Sequence, residues 1–178
     1  MEYVEAGWRL ATEPDKAADG LPFAVLRPEP GKSLFETIEQ ADGIDADTYL
    51  LARRQSAFAI LNVYPYTSGH VMVLPRRAVP SLLELGQQEY RDLWDLVRVA
   101  VEAVGSAFNP QGMNVGINEG RAGGGSMPEH LHVHVVPRWE ADTNFMTTVA
   151  DARVLPMTLR DSWLRLRAAW PEPLPSER

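Results

Sequence analysis

The chain has 178 residues, of which 45% are hydrophobic and 23% are charged, a composition typical of a single globular domain with a substantial core. Its formal net charge of −7 argues against a nucleic-acid polymer as the main partner, because proteins that bind one usually carry a basic face. The absence of cysteine excludes disulfides, thiolate nucleophiles and thiolate metal ligands.

The hydropathy of the sequence argues against a membrane location. The sequence contains no run of about 18 apolar residues, and residues 1–5, MEYVE, are acidic rather than the start of a basic and apolar leader. We therefore expect a protein of the cytoplasm. A small nucleotide remains compatible with the acidic net charge, because it needs only local positive charge and backbone donors.

The first predicted elements are an extended arm and a short helix. The arm covers residues 1–20, which have a mixed composition with turn-forming positions. Ser33 and Glu36 then have the spacing of a helix capping box. This spacing predicts a short helix over residues 34–41.

Three strands are predicted next. Residues 49–53 and 57–61 are apolar and β-compatible on either side of a short polar turn, a pattern typical of a hairpin. Residues 70–74 form a third predicted strand, which ends at Pro75.

The second half of the chain contains the clearest helix. Over residues 88–108, apolar side chains recur at every third or fourth position. Residues 113–117 and 130–136 are the fourth and fifth predicted strands. A last helix is predicted over residues 156–170, with Pro156 at an early position where proline is tolerated.

Together these elements predict an α+β fold. We expect a largely antiparallel five-stranded sheet with one long packed helix and a C-terminal helix. The domain would cover residues 21–140 and follow the N-terminal arm. Residues 141–178 would be a C-terminal extension whose helix packs on the same domain.

The four histidines occupy two short segments, one with His70 and one with His130, His132 and His134. Alternate side chains of a β-strand share a face, so the last three would line one site. Upstream, residues 118–126, NEGRAGGGS, form a glycine-rich loop whose backbone N–H groups can hold a phosphate. The combination predicts a nucleophile or acid–base set that acts on a phosphate ester or anhydride.

These segments resemble a known family. Residues 130–136, HLHVHVV, match the His-x-His-x-His-x-x signature of the histidine triad superfamily of nucleotide hydrolases and transferases. Residues 62–77, NVYPYTSGHVMVLPRR, are similar to its first nucleotide-binding segment, and residues 118–126 to its phosphate loop. Residues 137–139 and 143–145 most resemble the bacterial branch that includes diadenosine tetraphosphate phosphorylases and hydrolases. The resemblance implies the fold of that superfamily and a homodimer or homotetramer.

The resemblance also implies a role for each histidine. His132 would be the nucleophile, with its Nδ1 hydrogen held by a backbone carbonyl near the first triad histidine. His134 would bind the scissile phosphate and help to protonate the leaving group. His130 would be structural, and His70 would support the site from a buried position. Two alternatives stay open at this point: buried core histidines, and a metal site, because His-x-His on a strand is also a metal-binding spacing.

Further residues are expected to bind the nucleotide. By resemblance, Asn62 would contact the ribose, and Asn118 and Ser126 would hold the phosphate. The alternative for the loop is a backbone N–H donated by Gly125 or Ser126, and for Asn62 it is an ordinary turn. Trp139 and Phe145 would stack on a base, meet a neighbouring subunit or simply be buried.

Many members of the superfamily bind a structural zinc ion through a Cys-x-x-Cys pair, a further histidine and the first triad histidine. Here the matched stretch for the cysteine pair is residues 20–24, GLPFA, and Ala78 stands where the further histidine would be. We therefore expect no zinc, with Leu21 and Ala24 packed where the metal would lie. A divalent cation such as Mg²⁺ bound together with the substrate is left open.

The leading interpretation is a nucleotidyl-transfer enzyme that cleaves dinucleoside polyphosphates through a covalent nucleotidyl-histidine. Phosphate or water would accept the nucleotidyl group, and the ligand would be a purine nucleotide or a dinucleoside polyphosphate such as diadenosine tetraphosphate. Two alternatives remain: a nucleoside phosphoramidase, which would cleave a phosphorus–nitrogen bond, and a nucleotide-binding protein without turnover.

Overall fold

The computed structural model describes residues 30–40, 48–143 and 156–171. These residues contain five strands: β1 (Leu50–Arg53), β2 (Ala57–Leu61), β3 (Val71–Pro75), β4 (Gly112–Ile117) and β5 (Val133–Arg138). They also contain three α-helices: α1 (Leu34–Gln40), α2 (Gln87–Phe108) and α3 (Leu159–Ala169). None of these helices is both long and apolar enough to cross a membrane. The predicted arm over residues 1–20 lies outside the described residues.

The five strands form one antiparallel sheet in the order β1-β2-β3-β5-β4. β5 therefore lies between β3 and β4, with His134 paired to Met72 on one side and to Gly116 on the other. β2 and β3 are buried along their whole length, which explains why both are unbroken apolar runs in the sequence. The predicted α+β class, with its antiparallel five-stranded sheet, long helix and C-terminal helix, is confirmed.

Helix α2 packs on the sheet, where it contacts β2, β3 and β5. Its buried side chains are Leu93, Leu96, Val97, Val99, Ala100, Ala103 and Val104. Four of them, Leu93, Val97, Ala100 and Val104, belong to the apolar recurrence that predicted the helix. The helix ends at Asn109, whose left-handed backbone (φ 45°) lets its N–H donate to the Gly105 carbonyl. Phe108 then packs on Gly69, where a Cβ atom would lie 2.4 Å from the phenyl ring. Glycine is therefore required immediately before His70.

Helix α3 is attached to β1 by two side chains. Trp163 Nε1 donates to the Leu50 carbonyl (2.9 Å), and the Arg167 guanidinium donates to the Leu51 carbonyl (2.8 Å). Leu166 lies between these two positions in the sequence and is fully buried in the core. The helix also contacts α2. Helix α3 thus extends the same core that underlies the sheet.

The predicted start of β5 at His130 is wrong, because the strand begins at Val133. The segment before it forms a hydrogen bond outside the sheet: the Leu131 N–H donates to the Val79 carbonyl (2.7 Å). His130 and His132 therefore lie in the connection that leads into the strand, and only His134 belongs to the strand.

The predicted start of the C-terminal helix is also wrong. The helix begins at Leu159, because the Thr158 side chain accepts a hydrogen bond from the Asp161 N–H and so acts as its N-cap. Pro156 precedes the helix instead of occupying its first turn.

The packing of α3 predicts how the helix tolerates substitution. Leu166→Ala should lower the free energy of unfolding by about 2–5 kcal/mol, since it leaves a cavity in the core. Leu164→Ala, on the exposed side of the same helix, should change it by no more than ~0.5 kcal/mol. Urea unfolding followed by circular dichroism measures both values. Equal effects of the two substitutions would show that α3 does not pack as described.

Candidate active site

The hydrogen bond of His132 defines where its proton lies. His132 Nδ1 lies 2.8 Å from the backbone carbonyl oxygen of His130. A carbonyl oxygen only accepts, so Nδ1 carries the hydrogen and the neutral imidazole keeps a lone pair on Nε2. His132 lines a cavity and is only 6% exposed. Nε2 is therefore a base or nucleophile in a place largely shielded from water.

Burial also lowers the pKa of the His132 imidazole below the ordinary value of 6.5, because desolvation disfavours the charged form. The hydrogen bond to the His130 carbonyl and the charge of Glu129 raise this pKa, but by less. The imidazole is therefore neutral at pH 7, the state that a nucleophilic nitrogen requires.

A second chain of hydrogen bonds joins His70 to His134. The Tyr66 N–H donates to His70 Nδ1 (3.1 Å), so a neutral His70 carries its hydrogen on Nε2. That Nε2 lies 2.9 Å from His134 Nδ1 and donates to it. A neutral His134 then carries its own hydrogen on Nε2, and Asn118 Nδ2 lies 3.5 Å from that nitrogen. Because an amide nitrogen only donates, this hydrogen requires the Asn118 amide in the opposite orientation, with Oδ1 as the acceptor. His134 thus offers an N–H where His132 offers a lone pair.

Asn62 connects this chain to the cavity. Its Nδ2 lies 3.3 Å from His70 Nδ1, and its Oδ1 accepts a hydrogen bond from the Tyr64 N–H (3.0 Å). Asn62 lines the cavity, whereas His70 is fully buried and does not. The Asn62 side chain therefore stabilises a turn and also borders the cavity. Its position is compatible with a turn asparagine and with a residue that contacts a ligand. Contact with a ribose stays a prediction.

His130 differs from its two neighbours. It is fully buried and does not line the cavity; its Nε2 donates to the Pro75 carbonyl (2.8 Å), and its Nδ1 lies 2.7 Å from the Ser33 hydroxyl. Burial lowers the pKa of His130, and the hydrogen bond to Pro75 offsets only part of this effect. The prediction that all three triad histidines line one site is therefore wrong for His130, because this residue precedes the strand and its ring contacts α1.

The cavity has a volume of about 180 Å³ and is lined by both apolar and polar side chains. Helix α1 contributes Leu34, Phe35 and Ile38 to the apolar part. The polar part consists of predicted site residues, namely Asn62, Asn118, Ser126, His132 and His134. The fold thus brings together polar side chains from three separate segments of the chain beside an apolar surface.

The glycine-rich segment over residues 118–126 is a loop folded tightly on itself. The Gly125 N–H donates to the Gly120 carbonyl (3.0 Å). A Cβ atom at Gly125 would lie 2.8 Å from the Asn118 carbonyl oxygen, so this position requires glycine. The alternative that Gly125 donates its N–H to a phosphate disagrees with this bond, because the N–H is used inside the loop. Ser126 lines the cavity, and its contact with a phosphate stays a prediction.

The surroundings of His130 do not fit a structural zinc ion. Both of its ring nitrogens are hydrogen-bonded to protein groups. Across residues 30–40, 48–143 and 156–171, no three or more His, Asp or Glu side chains are grouped so as to hold a metal ion. Residues 20–24 lie outside the described residues, so the packing of Leu21 and Ala24 stays a prediction.

A second cavity, of about 280 Å³, adjoins the first. Tyr66, Asn118 and His134 line both, so the two cavities meet at these side chains. The second cavity extends along β4 to Arg138, and His132 lines only the first. A ligand bound at His134 therefore has room on two sides.

Tyr66 is a site residue that sequence analysis did not single out. Its ring stacks on His134 with the centroids 5.7 Å apart, and it lies 4.6 Å from the His70 ring. Its backbone N–H also determines which nitrogen of His70 carries the hydrogen. The only signal in the sequence was its place inside the matched segment 62–77.

Trp139 lines neither of these two cavities. It is half-buried, and its backbone N–H donates to Asp142 (3.1 Å). Hydrogen bonds from Arg138 hold the pKa of the same carboxylate far below its usual range. Phe145 lies outside the described residues. A contact of Trp139 with a base or a second subunit stays a prediction.

The chain matches the family model of the HIT domain over residues 45–141, more than half of its length. AP-4-A phosphorylase of Mycobacterium tuberculosis is 42% identical over 126 residues, which are 71% of this chain and 65% of that protein. The asymmetrical bis(5'-nucleosyl)-tetraphosphatase of Schizosaccharomyces pombe is 39% identical over 90 residues, 51% of this chain and 49% of that protein. The chain thus spans less than two thirds of the length of these relatives.

Solved structures resemble the fold. A hypothetical histidine triad nucleotide-binding protein from Sulfolobus tokodaii has a TM-score of 0.61 and 24% identity, covering 77% of this chain and 91% of that one. A Zn-bound histidine triad family protein from Mycobacterium smegmatis has a TM-score of 0.57 and 24% identity, covering 68% and 83%. With the sheet, the histidine segment and the family match in agreement, the chain belongs to the HIT domain family.

Proposed function

We propose that the protein transfers a nucleotidyl group from a dinucleoside polyphosphate of the diadenosine tetraphosphate type, through a covalent bond to His132. The observation that carries the proposal is the hydrogen bond from His132 Nδ1 to the His130 carbonyl, which leaves the Nε2 lone pair available beside the cavity. The names of the relatives, an AP-4-A phosphorylase and a bis(5'-nucleosyl)-tetraphosphatase, support the substrate class.

In the first step, Nε2 of His132 attacks a phosphorus atom of the substrate. A phosphorus–nitrogen bond forms, and the phosphorus–oxygen bond to the departing nucleotide breaks. The departing oxygen gains negative charge, and the Nε2–H of His134 donates a hydrogen bond to it. In the second step, an oxygen of phosphate, or of a water molecule that loses a proton to the solvent, attacks the same phosphorus. The phosphorus–nitrogen bond breaks, and its electron pair returns to His132 Nε2.

The two adjoining cavities support a substrate with two large halves. With the scissile phosphate at His134 and Asn118, one half occupies the apolar cavity beside His132, and the other extends toward Arg138. A phosphoramidate with a small leaving group would leave the second cavity unused. This difference favours the dinucleotide over the phosphoramidase alternative.

The remaining predicted residues have supporting roles in this proposal. His70 keeps the hydrogen of His134 on Nε2 through its own hydrogen bond. Asn118 and Ser126 bind phosphate oxygens, and Asn62 binds the ribose. The homodimer or homotetramer that the sequence resemblance implies stays a prediction, as does a location in the cytoplasm.

We expect the purified protein to convert diadenosine tetraphosphate and inorganic phosphate into ADP and ATP. Where water is the acceptor, the products are AMP and ATP instead. His132→Ala removes the nucleophile and should lower kcat by at least about 10³-fold. Chromatographic separation of the nucleotides, with and without phosphate, measures the products and the rates.

The control for an intact fold is the unfolding temperature, which should be the same for His132→Ala as for the unsubstituted protein. Full activity of this variant would contradict the covalent mechanism. Faster turnover of an adenosine phosphoramidate than of the dinucleotide would favour the phosphoramidase. Labelling of His132 without release of product would favour a nucleotide-binding protein.

The lowered pKa of His132 predicts how the rate depends on pH on the acidic side. Only the unprotonated imidazole attacks, so the rate falls as the pH drops through its pKa. Because burial places that pKa below 6.5, the decline in the rate of the first step should have its midpoint below pH 6.5. Rapid-quench measurement of the nucleotidyl-enzyme tests this. A decline already centred above pH 7 would contradict it.

We further propose that the protein needs no structural zinc, since hydrogen bonds occupy both nitrogens of His130. Metal analysis of the purified protein should find far less than one equivalent of zinc. Incubation with a chelator should leave the unfolding temperature unchanged. One equivalent of tightly bound zinc would overturn this expectation.

A further inference from the structure

The capping box of α1 lies against the active-site segment. The hydroxyl of Ser33 is 2.7 Å from Nδ1 of His130, although the two residues are 97 positions apart in the sequence. Because His130 Nε2 donates to the Pro75 carbonyl, a neutral ring has its lone pair on Nδ1. The Ser33 hydroxyl is therefore the donor in this contact.

The cap itself directs the hydroxyl of Ser33. Its oxygen accepts a hydrogen bond from the Glu36 N–H (3.1 Å), and the Ser33 N–H donates to Glu36 Oε2 (2.8 Å). The oxygen is thus engaged as an acceptor on the helix side, and its hydrogen remains available for His130. The capping box therefore sets the direction of the contact.

Glu36 connects the cap to a third segment of the chain. Its Oε1 accepts a hydrogen bond from the Ala78 N–H (3.1 Å), and the next residue, Val79, accepts one from the Leu131 N–H (2.7 Å). Burial raises the pKa of Glu36, but the hydrogen bonds from Ser33 and Ala78 outweigh this, so the carboxylate stays ionised at neutral pH.

These contacts form a closed ring around the connection that precedes β5. The ring runs from Ser33 to His130 and Leu131, on to residues 78–79, and back through Glu36 to Ser33. This ring restrains His130 and Leu131, which precede β5 and are therefore not held by strand pairing. The carbonyl of His130, which receives the Nδ1 hydrogen of His132, belongs to this restrained segment.

Phe35 adds packing to the same arrangement. Its ring meets the His130 ring edge-on, with the centroids 5.5 Å apart, and its centroid lies 6.0 Å from that of His132. Helix α1 and the residue before it therefore contact the active-site histidines: Ser33 contacts His130, and Phe35 contacts both His130 and His132.

We propose that Ser33 and Glu36 are positioning residues for the nucleophile: the α1 cap holds His130 so that its carbonyl keeps the His132 hydrogen on Nδ1. The effect on catalysis rests on the proposed function, whereas the effect on the proton positions does not. A helix cap thereby fixes the position of His130. The sequence resemblance implies that zinc often binds the corresponding histidine in other members of the family.

The test compares substitutions of two helix caps. Ser33→Ala removes the hydroxyl, and we expect kcat for diadenosine tetraphosphate to fall roughly five- to tenfold with little change in KM, as for the loss of one buried hydrogen bond. Ser33→Thr keeps a hydroxyl and should restore most of the rate. Thr158→Ala removes the equivalent cap of α3, away from the site, and should leave kcat unchanged.

Nitrogen NMR of the imidazole rings supplies a measurement that needs no substrate. The unsubstituted protein should show His130 with its hydrogen on Nε2 and His132 with its hydrogen on Nδ1. In Ser33→Ala, the His132 ring should become a mixture of the two neutral forms, because the His130 carbonyl is no longer held in place, whereas His130 keeps its hydrogen on Nε2 through the Pro75 carbonyl. Ser33→Gly loses the hydroxyl with little loss of helix capping and should give the same result if the alanine variant does not fold.

Unchanged proton positions and unchanged kcat in Ser33→Ala or Ser33→Gly would overturn the proposal. An equal loss of activity in Thr158→Ala would overturn it too, because the effect would then be one of general stability. If the unsubstituted protein does not cleave dinucleotides, the proposed function fails. A change in the ring nitrogens of the Ser33 variants would still support the positioning role.

Discussion

The hydrogen bond between His132 Nδ1 and the His130 carbonyl is the constraint on which the site depends. A neutral imidazole exchanges its hydrogen between two nitrogens of similar basicity, and only one arrangement leaves a lone pair on Nε2. A backbone carbonyl cannot donate, so it selects that arrangement at any pH at which the ring is neutral. The chemistry proposed for His132 therefore begins with the placement of a main-chain oxygen.

Two chains of hydrogen bonds fix the position of a ring hydrogen, and they place it on different nitrogens of His132 and His134. In the first chain, the Pro75 carbonyl and the Ser33 hydroxyl fix His130, whose own carbonyl fixes His132. In the second, the Tyr66 N–H fixes His70, which fixes His134. The first chain leaves a lone pair on Nε2, and the second leaves an N–H. Two identical side chains with ring centroids 4.9 Å apart thus have complementary roles, acceptor and donor.

The sequence was informative wherever a signal was local. Apolar runs and the stripe of α2 predicted the elements, and the histidine spacing together with the glycine-rich loop identified residues that do meet at the cavity. The start of β5 was missed because the bond from Leu131 to Val79 joins distant segments. The capping box of Ser33 was recognised, but only as the start of a helix. Its contact with His130 depends on how α1 docks, which spacing along the chain does not encode.

Geometry also restricts the charge of the buried histidines. A second hydrogen on His70 Nδ1 would point at the Tyr66 N–H, and two donors facing each other in a buried place would each lose a partner. A second hydrogen on His132 would occupy the Nε2 lone pair, at a position where burial already opposes the positive charge. The network therefore favours neutral imidazoles through both hydrogen-bond direction and desolvation. The nucleophilic attack on a phosphorus atom that we propose for His132 needs this state.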